Sequence, residues 1–314
     1  MNYYCTLFDS NYLTRGLALY DSLVRSGDDF RIIIFCFDEL CFQILGKLNL
    51  DRATLVPLTQ FETEELKKVK MQRTTAEYCW TCTPQVIDYS LVQFGLPEVT
   101  YLDADLYFFQ SAEPLFRELG EGGNSVLITE HRYTPRYDQS AASGKYCVQF
   151  ITFKADQAGR TVLDWWRDRC MEWCYARYED GKFGDQKYLD DWTTRFQGVH
   201  VLAHLGGGVA PWNVQQYRVG QGPSVNGIPV VFYHFHHVTW NRNKSFDLGG
   251  YELSQEVILE VYLPYLDQLE KVLQRVRTVQ PDFEKGMIQP SHTAAGLMKH
   301  IRRRLFGAYN VIRR

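Results

Sequence analysis

No stretch of the sequence reaches the ~18 consecutive apolar residues that a bilayer-spanning helix needs, which excludes a polytopic membrane protein. There is no basic excess either. The 34 Lys and Arg are set against 37 Asp and Glu, for a net charge of −3. A general nucleic-acid binder usually carries a basic domain, so that class is disfavoured. No internal repeat and no low-complexity linker is present, which excludes solenoids and disordered or fibrous chains. The first residues, Met1-Asn2-Tyr3-Tyr4-Cys5-Thr6-Leu7-Phe8, show no basic segment leading into an apolar one. The expectation is a cytoplasmic protein that begins in a strand rather than with a signal peptide.

What is present is ordinary in bulk and unusual in detail. The 314 residues are 45% apolar and 23% charged, as in soluble globular proteins. Such a length can bury a large core, as about two domain equivalents or one large α/β domain. Aromatic residues reach 15%, with 20 Tyr and 7 Trp, and such rings stack well on sugars and bases. Eight cysteines include Cys79/Cys82 and Cys170/Cys174, spaced as zinc pairs can be. Both pairs fall in aromatic-rich stretches that read as helix, so reduced, mostly buried thiols are expected instead.

Periodicity alternates strand and helix through the first hundred residues. Strands are expected over 2–8, 30–37, 53–58 and 99–102, and helices over 13–24, 39–48, 61–71 and 75–94. The run FRIIIFCF (30–37) is continuous and apolar, as in a strand buried on both faces. Further strands are expected at 125–129, 147–153, 199–202 and 229–234. Long helices are expected at 157–179, 253–279 and 292–306, with a hinge over 281–290. This order implies a doubly wound, mostly parallel sheet flanked by helices.

The chemistry concentrates where strands end. Val99-Thr100-Tyr101-Leu102 runs into Asp103-Ala104-Asp105. Carboxylates two residues apart on an extended backbone point the same way and repel. A divalent cation with hard oxygen ligands removes that conflict. The carboxyl ends of strands are also where open α/β sheets bind ligands. Val230-Val231-Phe232-Tyr233 likewise runs into His234, with His236 on the same face. Phe8-Asp9-Ser10-Asn11-Tyr12 follows the first strand and offers an aromatic ring with hydrogen-bonding groups, which suits a base; Ser10 or Asn11 is equally placed to cap the next helix.

These motifs, with Gly184-Asp185-Gln186, resemble the GT-A-fold glycosyltransferases that use nucleotide-diphospho-sugars. The resemblance is to the retaining family-8 group, which includes glycogenin and bacterial lipopolysaccharide galactosyl- and glucosyltransferases. It spans roughly residues 1–245. It implies a GT-A (Rossmann-like), mostly parallel α/β sheet over 1–250, with a C-terminal helical extension over 251–314. It implies that Asp103, Asp105 and His234 hold Mn²⁺ or Mg²⁺ and that Asp185 and Gln186 lie at the donor sugar in catalytic roles. It assigns Asp9, Asn11 and Tyr12 to the base and ribose, and adds Thr6, Asp103 and Ala104 as donor contacts. Three local patterns depart from the family. Arg73 replaces an arginine of the helix before the Asp-x-Asp strand. Gln149 stands where an Asn-Ala-Gly run is usual. Arg242 or Lys244 takes the place of the diphosphate lysine.

The implied activity moves a hexose from a nucleotide-diphospho-sugar, most simply UDP-linked, to a glycan or lipid-linked acceptor with retention. Metal-dependent nucleotidyl or phosphoryl transfer, or a catalytically inactive carbohydrate-binding protein, are the competing readings. Gly206-Gly207-Gly208 precedes Trp212-Asn213, which are candidates for an acceptor cleft. Residues 299–314 carry basic residues and no acidic ones beside the stripe Leu297, Ile301, Leu305 and Tyr309. Such a tail suits an anionic membrane surface or packing on the domain.

Overall fold

The computed structural model describes residues 1–289, 298 and 303–314. A seven-stranded sheet forms its centre, in the order β3-β2-β1-β4-β7-β6-β8. The strands are β1 (Asn2–Phe8), β2 (Phe30–Cys36), β3 (Ala53–Pro57), β4 (Glu98–Leu102), β6 (Val126–Glu130), β7 (Tyr146–Lys154) and β8 (Val199–Val201). Only β7 runs against its neighbours. The short β5 (Leu106–Phe108) lies outside this sheet.

Both faces of the sheet are covered, which is why its strands read as apolar runs. Tyr4 and Phe8 of β1 face one core with α1 (Leu13–Ser26) and α2 (Glu39–Leu48). Cys5 and Leu7 face the other with α5 (Thr75–Gln93) and α8 (Gln157–Glu172). Gly16 allows α1 to press onto β1, since a Cβ there would lie 2.3 Å from the Phe8 ring. The helix expected over 61–71 divides into α3 (Leu58–Phe61) and α4 (Glu64–Lys70), with Thr63 capping the second. α8 stops at Glu172, short of the expected 179. Arg73 takes the carbonyls of Cys170 and Met171 at 2.8 and 2.9 Å and so ends the helix.

Between the later sheet strands the chain forms α6 (Glu113–Glu121), α7 (Ser140–Ser143) and α9 (Trp192–Arg195) as connections. After β8 short strands follow; the strand expected over 229–234 is present as Phe232–His234, and periodicity did not reveal the others. A ribbon holds β9 (Val219–Gly220), β10 (Ser224–Val225) and β11 (Ile228–Pro229). β12 (Phe232–His234) pairs with β5. β13 (Thr239–Asn241) and β14 (Ser245–Asp247) form a hairpin. It is flanked by β15 (Met287–Ile288), inside the expected hinge, and by β16 (Val311–Arg313).

The C-terminal helix runs as α10 (Gln255–Val257), a π turn (Ile258–Tyr262) and α11 (Leu263–Val279). α11 joins the α1 core through Tyr265, Leu266, Leu269 and Val272. Most of the helix expected over 292–306 lies outside the described residues. Where the tail is described it is built into the fold. Arg303 is buried and meets Asp247 through two bonds of 2.7 Å, while its Nε donates to Ala308 O at 3.0 Å. All eight cysteines are free, and no described helix is long and apolar enough to cross a membrane.

Removing one member of a buried ion pair strands the other charge, at about 3–5 kcal/mol. Arg303→Met is therefore expected to lower the denaturation midpoint by about that free energy. An unchanged midpoint in urea would show that the Arg303–Asp247 pair carries no stability.

Candidate metal centre

The backbone at the end of β4 is fixed before any side chain acts. Asp103 N donates to Gln149 O at 2.9 Å, and Leu106 N donates to Asp103 O at 3.1 Å, closing a turn around the buried Ala104. The chain then enters β5, whose antiparallel register with β12 sets Leu106 opposite His234. Phe235 N donates to Asp105 O at 3.0 Å, and His234 N to Val209 O at 3.0 Å. Both strand ends are thus clamped together, 129 positions apart by number (234 − 105).

His234 Nε2 lies 3.1 Å from Asp105 Oδ1 and 3.9 Å from Asp103 Oδ2. One ligand atom from each of the three side chains falls within 4.8 Å of the others, the one such group among the described residues. The Cys79/Cys82 and Cys170/Cys174 pairs form none. On the other side of the imidazole, Nδ1 is 2.8 Å from Gln149 Oε1. An amide oxygen only accepts, so Nδ1 carries a proton and Nε2 faces the carboxylates. Two carboxylate oxygens and an imidazole nitrogen, enclosed at a sheet edge, are a fitting donor set for a divalent cation.

The three side chains set one another's charge. Burial would lower the His234 pKa, but Asp105 and then Asp103 raise it well above the usual value. Burial likewise acts to raise Asp105, and His234 overrides it and holds that carboxyl below its usual range. Asp103 is pushed up to about 6 by burial, with Asp105 adding and His234 opposing. Asp185 is buried and pushed up to about 8, chiefly by burial and then by Asp103. His131 and His236 are both depressed to about 3, mainly by burial, and stay neutral.

Other expected residues fall into three groups. Around the centre lie Asp185, Gln149 and Tyr12. The Tyr12 ring is 45% exposed, and Asp105 is the main cause that raises its phenol to about 12. Asp9 turns inward on its own loop. It accepts Asn11 N at 2.9 Å, Asn11 Nδ2 at 2.8 Å and Tyr12 N at 3.2 Å. Neither Ser10 nor Asn11 caps α1; Ser10 bonds Asp38 instead. Thr6 is buried within β1. Gln186 Nε2 donates to Ser143 O at 2.7 Å and so holds α7 against the Asp185 turn.

The second group serves packing. Trp212 and Asn213 are buried, so the structure does not set them in an open cleft. Trp212 packs edge-on against His131, His234 and His236. Asn213 is consumed by Ala210 N, His131 O and Gly208 O at 2.8–2.9 Å. Arg73 holds α8, as described. The third group, Arg242 and Lys244, lies on the exposed face of the β13–β14 hairpin, where Arg242 pairs with Glu284 at 3.3 Å. Sequence reasoning missed Arg15, His131 and Cys147. Arg15 lies over the Tyr12 ring at 4.8 Å and donates to Val238 O at 2.8 Å. Its position one helical turn after Tyr12 was the available signal.

No protein-family model matches the chain. The protein YfnF of Bacillus subtilis (strain 168), described as uncharacterized, is 32% identical over 295 residues, covering 89% of this chain and 95% of YfnF. The chain belongs to the YfnF family. A second member from the same organism, YfnD, is 29% identical over 302 residues, covering 92% of this chain and 95% of YfnD. This YfnF-family chain is also similar to solved glycosyltransferase structures. One is the galactosyltransferase LgtC in complex with donor and acceptor sugar analogues, at TM-score 0.54 and 13% identity, covering 86% of this chain and 95% of LgtC. Another is the glycosyltransferase GlyE of Streptococcus pneumoniae TIGR4, at TM-score 0.53 and 14% identity, covering 90% of this chain and 65% of GlyE. The fold of this chain is thus the GT-A fold, with the Asp103-Asp105-His234 group at the expected strand ends.

Ligand carboxylates must lose their protons to bind a cation. Calorimetric Mn²⁺ titration of the YfnF-family chain is expected to show affinity climbing as pH rises through about 6, where Asp103 ionises, and climbing further as His234 gives up its raised Nε2 proton. Gln149→Ala is expected to weaken Mn²⁺ by about 10–100-fold, the usual effect of losing the group that orients a histidine ligand. An unchanged affinity would mean that His234 needs no such support.

Proposed function

We propose that this chain is a metal-dependent glycosyltransferase that moves a hexose from a nucleotide-diphospho-sugar, UDP-linked, to a glycan or lipid-linked acceptor with retention of configuration. The observation that carries this reading is the Asp103-Asp105-His234 group, held within 4.8 Å at the sheet edge of a GT-A fold. Asp103, Asp105 and His234 would hold the cation, and the imidazole suits Mn²⁺ somewhat better than Mg²⁺. A cation bound there supplies Lewis-acid stabilisation to the charge developing on the departing nucleoside diphosphate.

The chain's own groups do the rest. Tyr12 offers its exposed ring to the base, steadied by Arg15. Asp9 sets the shape of that loop through Asn11 and Tyr12. The Asp185 carboxyl hydrogen-bonds a sugar hydroxyl. Gln186, with its amide nitrogen engaged by Ser143, turns its oxygen toward the front face of the anomeric carbon, where positive charge develops. No strong protein nucleophile is required.

The test measures the products from a panel of UDP-hexoses with Mn²⁺. Release of free UDP is expected, and Asp105→Asn is expected to reduce it by about 10²–10³, as loss of one electrostatic stabiliser does. Gln186→Ala is expected to lower kcat while leaving donor affinity unchanged. Release of hexose 1-phosphate in place of UDP would replace this reading with nucleotidyl transfer.

An acceptor at a membrane surface fits the tail as well. Leu305 and Phe306 are 79% and 54% exposed beside Arg304, a pattern that suits anionic lipid. Leu305→Asp with Phe306→Asp is expected to abolish co-flotation with anionic liposomes without altering UDP release. Undiminished flotation would remove the membrane from this reading.

A further inference from the structure

Beside the metal centre lies a charge that the mechanism above does not use. β6 runs parallel to β4, because both pair antiparallel with β7. Arg132, two residues beyond β6, therefore emerges at the same edge of the sheet as Asp103. Its backbone is held at φ 48°, a left-handed conformation that an L side chain adopts only where its surroundings enforce it. Nη2 donates to Gly207 O. Nε and Nη1 are buried, and neither has an acceptor among the described residues.

No neighbouring acid balances this guanidinium. The groups whose charge bears on it are Tyr217, Glu130 and Glu118, and burial lowers its pKa despite them. Glu118 is already taken by His200 Nε2 at 2.6 Å, Ala203 N at 2.5 Å and His204 N at 3.0 Å. Glu130 faces Lys145 at 3.8 Å. The Tyr217 phenol is raised by burial and stays protonated.

Beyond the Gly207 carbonyl, the neighbour across Gly208 is a further donor. A Cβ on Gly208 would lie 2.5 Å from Thr129 Cγ2, 2.9 Å from Arg132 Nη2 and 3.6 Å from Gln149 Nε2. Only glycine, itself at φ +77°, leaves room there. Gln149 Nε2 is likewise buried without an acceptor, while its Oε1 is committed to His234. The unmet Gln149 amide nitrogen thus belongs to the side chain that orients His234, and the Arg132 guanidinium, with two unmet nitrogens and an uncompensated charge, lies across Gly208 from it. Enclosed donors of this kind are costly unless a ligand accepts from them. Oxyanions are what a guanidinium fork recognises.

We propose that Arg132, with the Gln149 amide, binds an oxyanion carried by the acceptor, so that the acceptor is acidic and bears a carboxylate or a phosphate near the hydroxyl that is glycosylated. This rests on the glycosyltransferase reading for the word acceptor, though not for the anion site itself.

The test uses the full chain in EDTA and follows thermal unfolding and calorimetry with inorganic phosphate, glycerol phosphate and glucuronate. Bound anion raises the melting temperature by mass action. A saturable rise is expected with the phosphates or with glucuronate, and which of them acts names the anion. Binding is expected to weaken at least about 10-fold in Arg132→Met, while Arg132→Lys retains part of it. Mn²⁺-dependent binding of UDP, measured on the same samples, is expected to be equal in all three proteins.

No response of the wild-type chain to any anion overturns the proposal, whatever UDP does, and this arm needs no variant to fold. Equal anion responses in wild type and Arg132→Met overturn it too, leaving Arg132 as a tie to Gly207. Loss of UDP binding in Arg132→Met would assign the guanidinium to the donor's diphosphate and overturn the acceptor assignment. An anion response in a wild-type chain that ignores UDP would sink the glycosyltransferase reading and leave the anion site standing.

Discussion

Two carboxylates at the end of a strand buried on both faces repel each other where water cannot screen them well. The surrounding structure is arranged around that conflict. β5 leaves the central sheet immediately after Asp105 and pairs with β12, whose last residue is His234. The backbone bonds from Phe235 and His234 then fix the imidazole beside both acids. The Gly206–Gly208 turn accepts from Val231 and Phe232 on one side and meets Thr129 and Arg132 on the other. A three-residue pairing thus carries the long-range geometry of the centre, while the large sheet supplies only the platform.

Beneath the centre the chain spends much of its aromatic content. Trp212 is walled by three histidines, two of which are kept neutral by burial. A neutral imidazole adds no repulsion to a bound cation, so these two histidines add no positive charge beside His234. Gln149 extends the same logic. As a neutral hydrogen-bond acceptor it orients His234 without adding a third carboxylate to a cluster that already holds two.

Much of this was legible in the sequence, for physical reasons that also mark the limits. FRIIIFCF could be read as a central strand because both of its faces are buried. Asp103, Asp105 and His234 could be read because charge after a buried strand demands a partner. The strands β9 to β16 are two or three residues long, and most owe their existence to distant partners such as β14 with β16, which no local pattern records. Trp212 and Asn213 carry the chemistry of a sugar cleft, but sequence cannot say which way a side chain turns, and here they turn inward. Arg73 and Arg132 are equally anonymous in the sequence. One caps a helix and the other stands uncompensated, a difference made entirely by tertiary surroundings.

Gly286, just before β15, packs onto the backbone of Asn11, where a Cβ would lie only 2.1 Å from the Asn11 carbonyl oxygen. The loop that carries Tyr12 is therefore braced by a segment more than 270 positions later in the chain, through β15, β13 and the Arg242–Glu284 pair. Free energies of coupled sites are reciprocal. Whatever ligand settles the loop around Tyr12 must also favour docking of the C-terminal strands, and whatever pulls on those strands must be felt at the loop. The far end of the polypeptide thereby becomes a thermodynamic handle on its first turn.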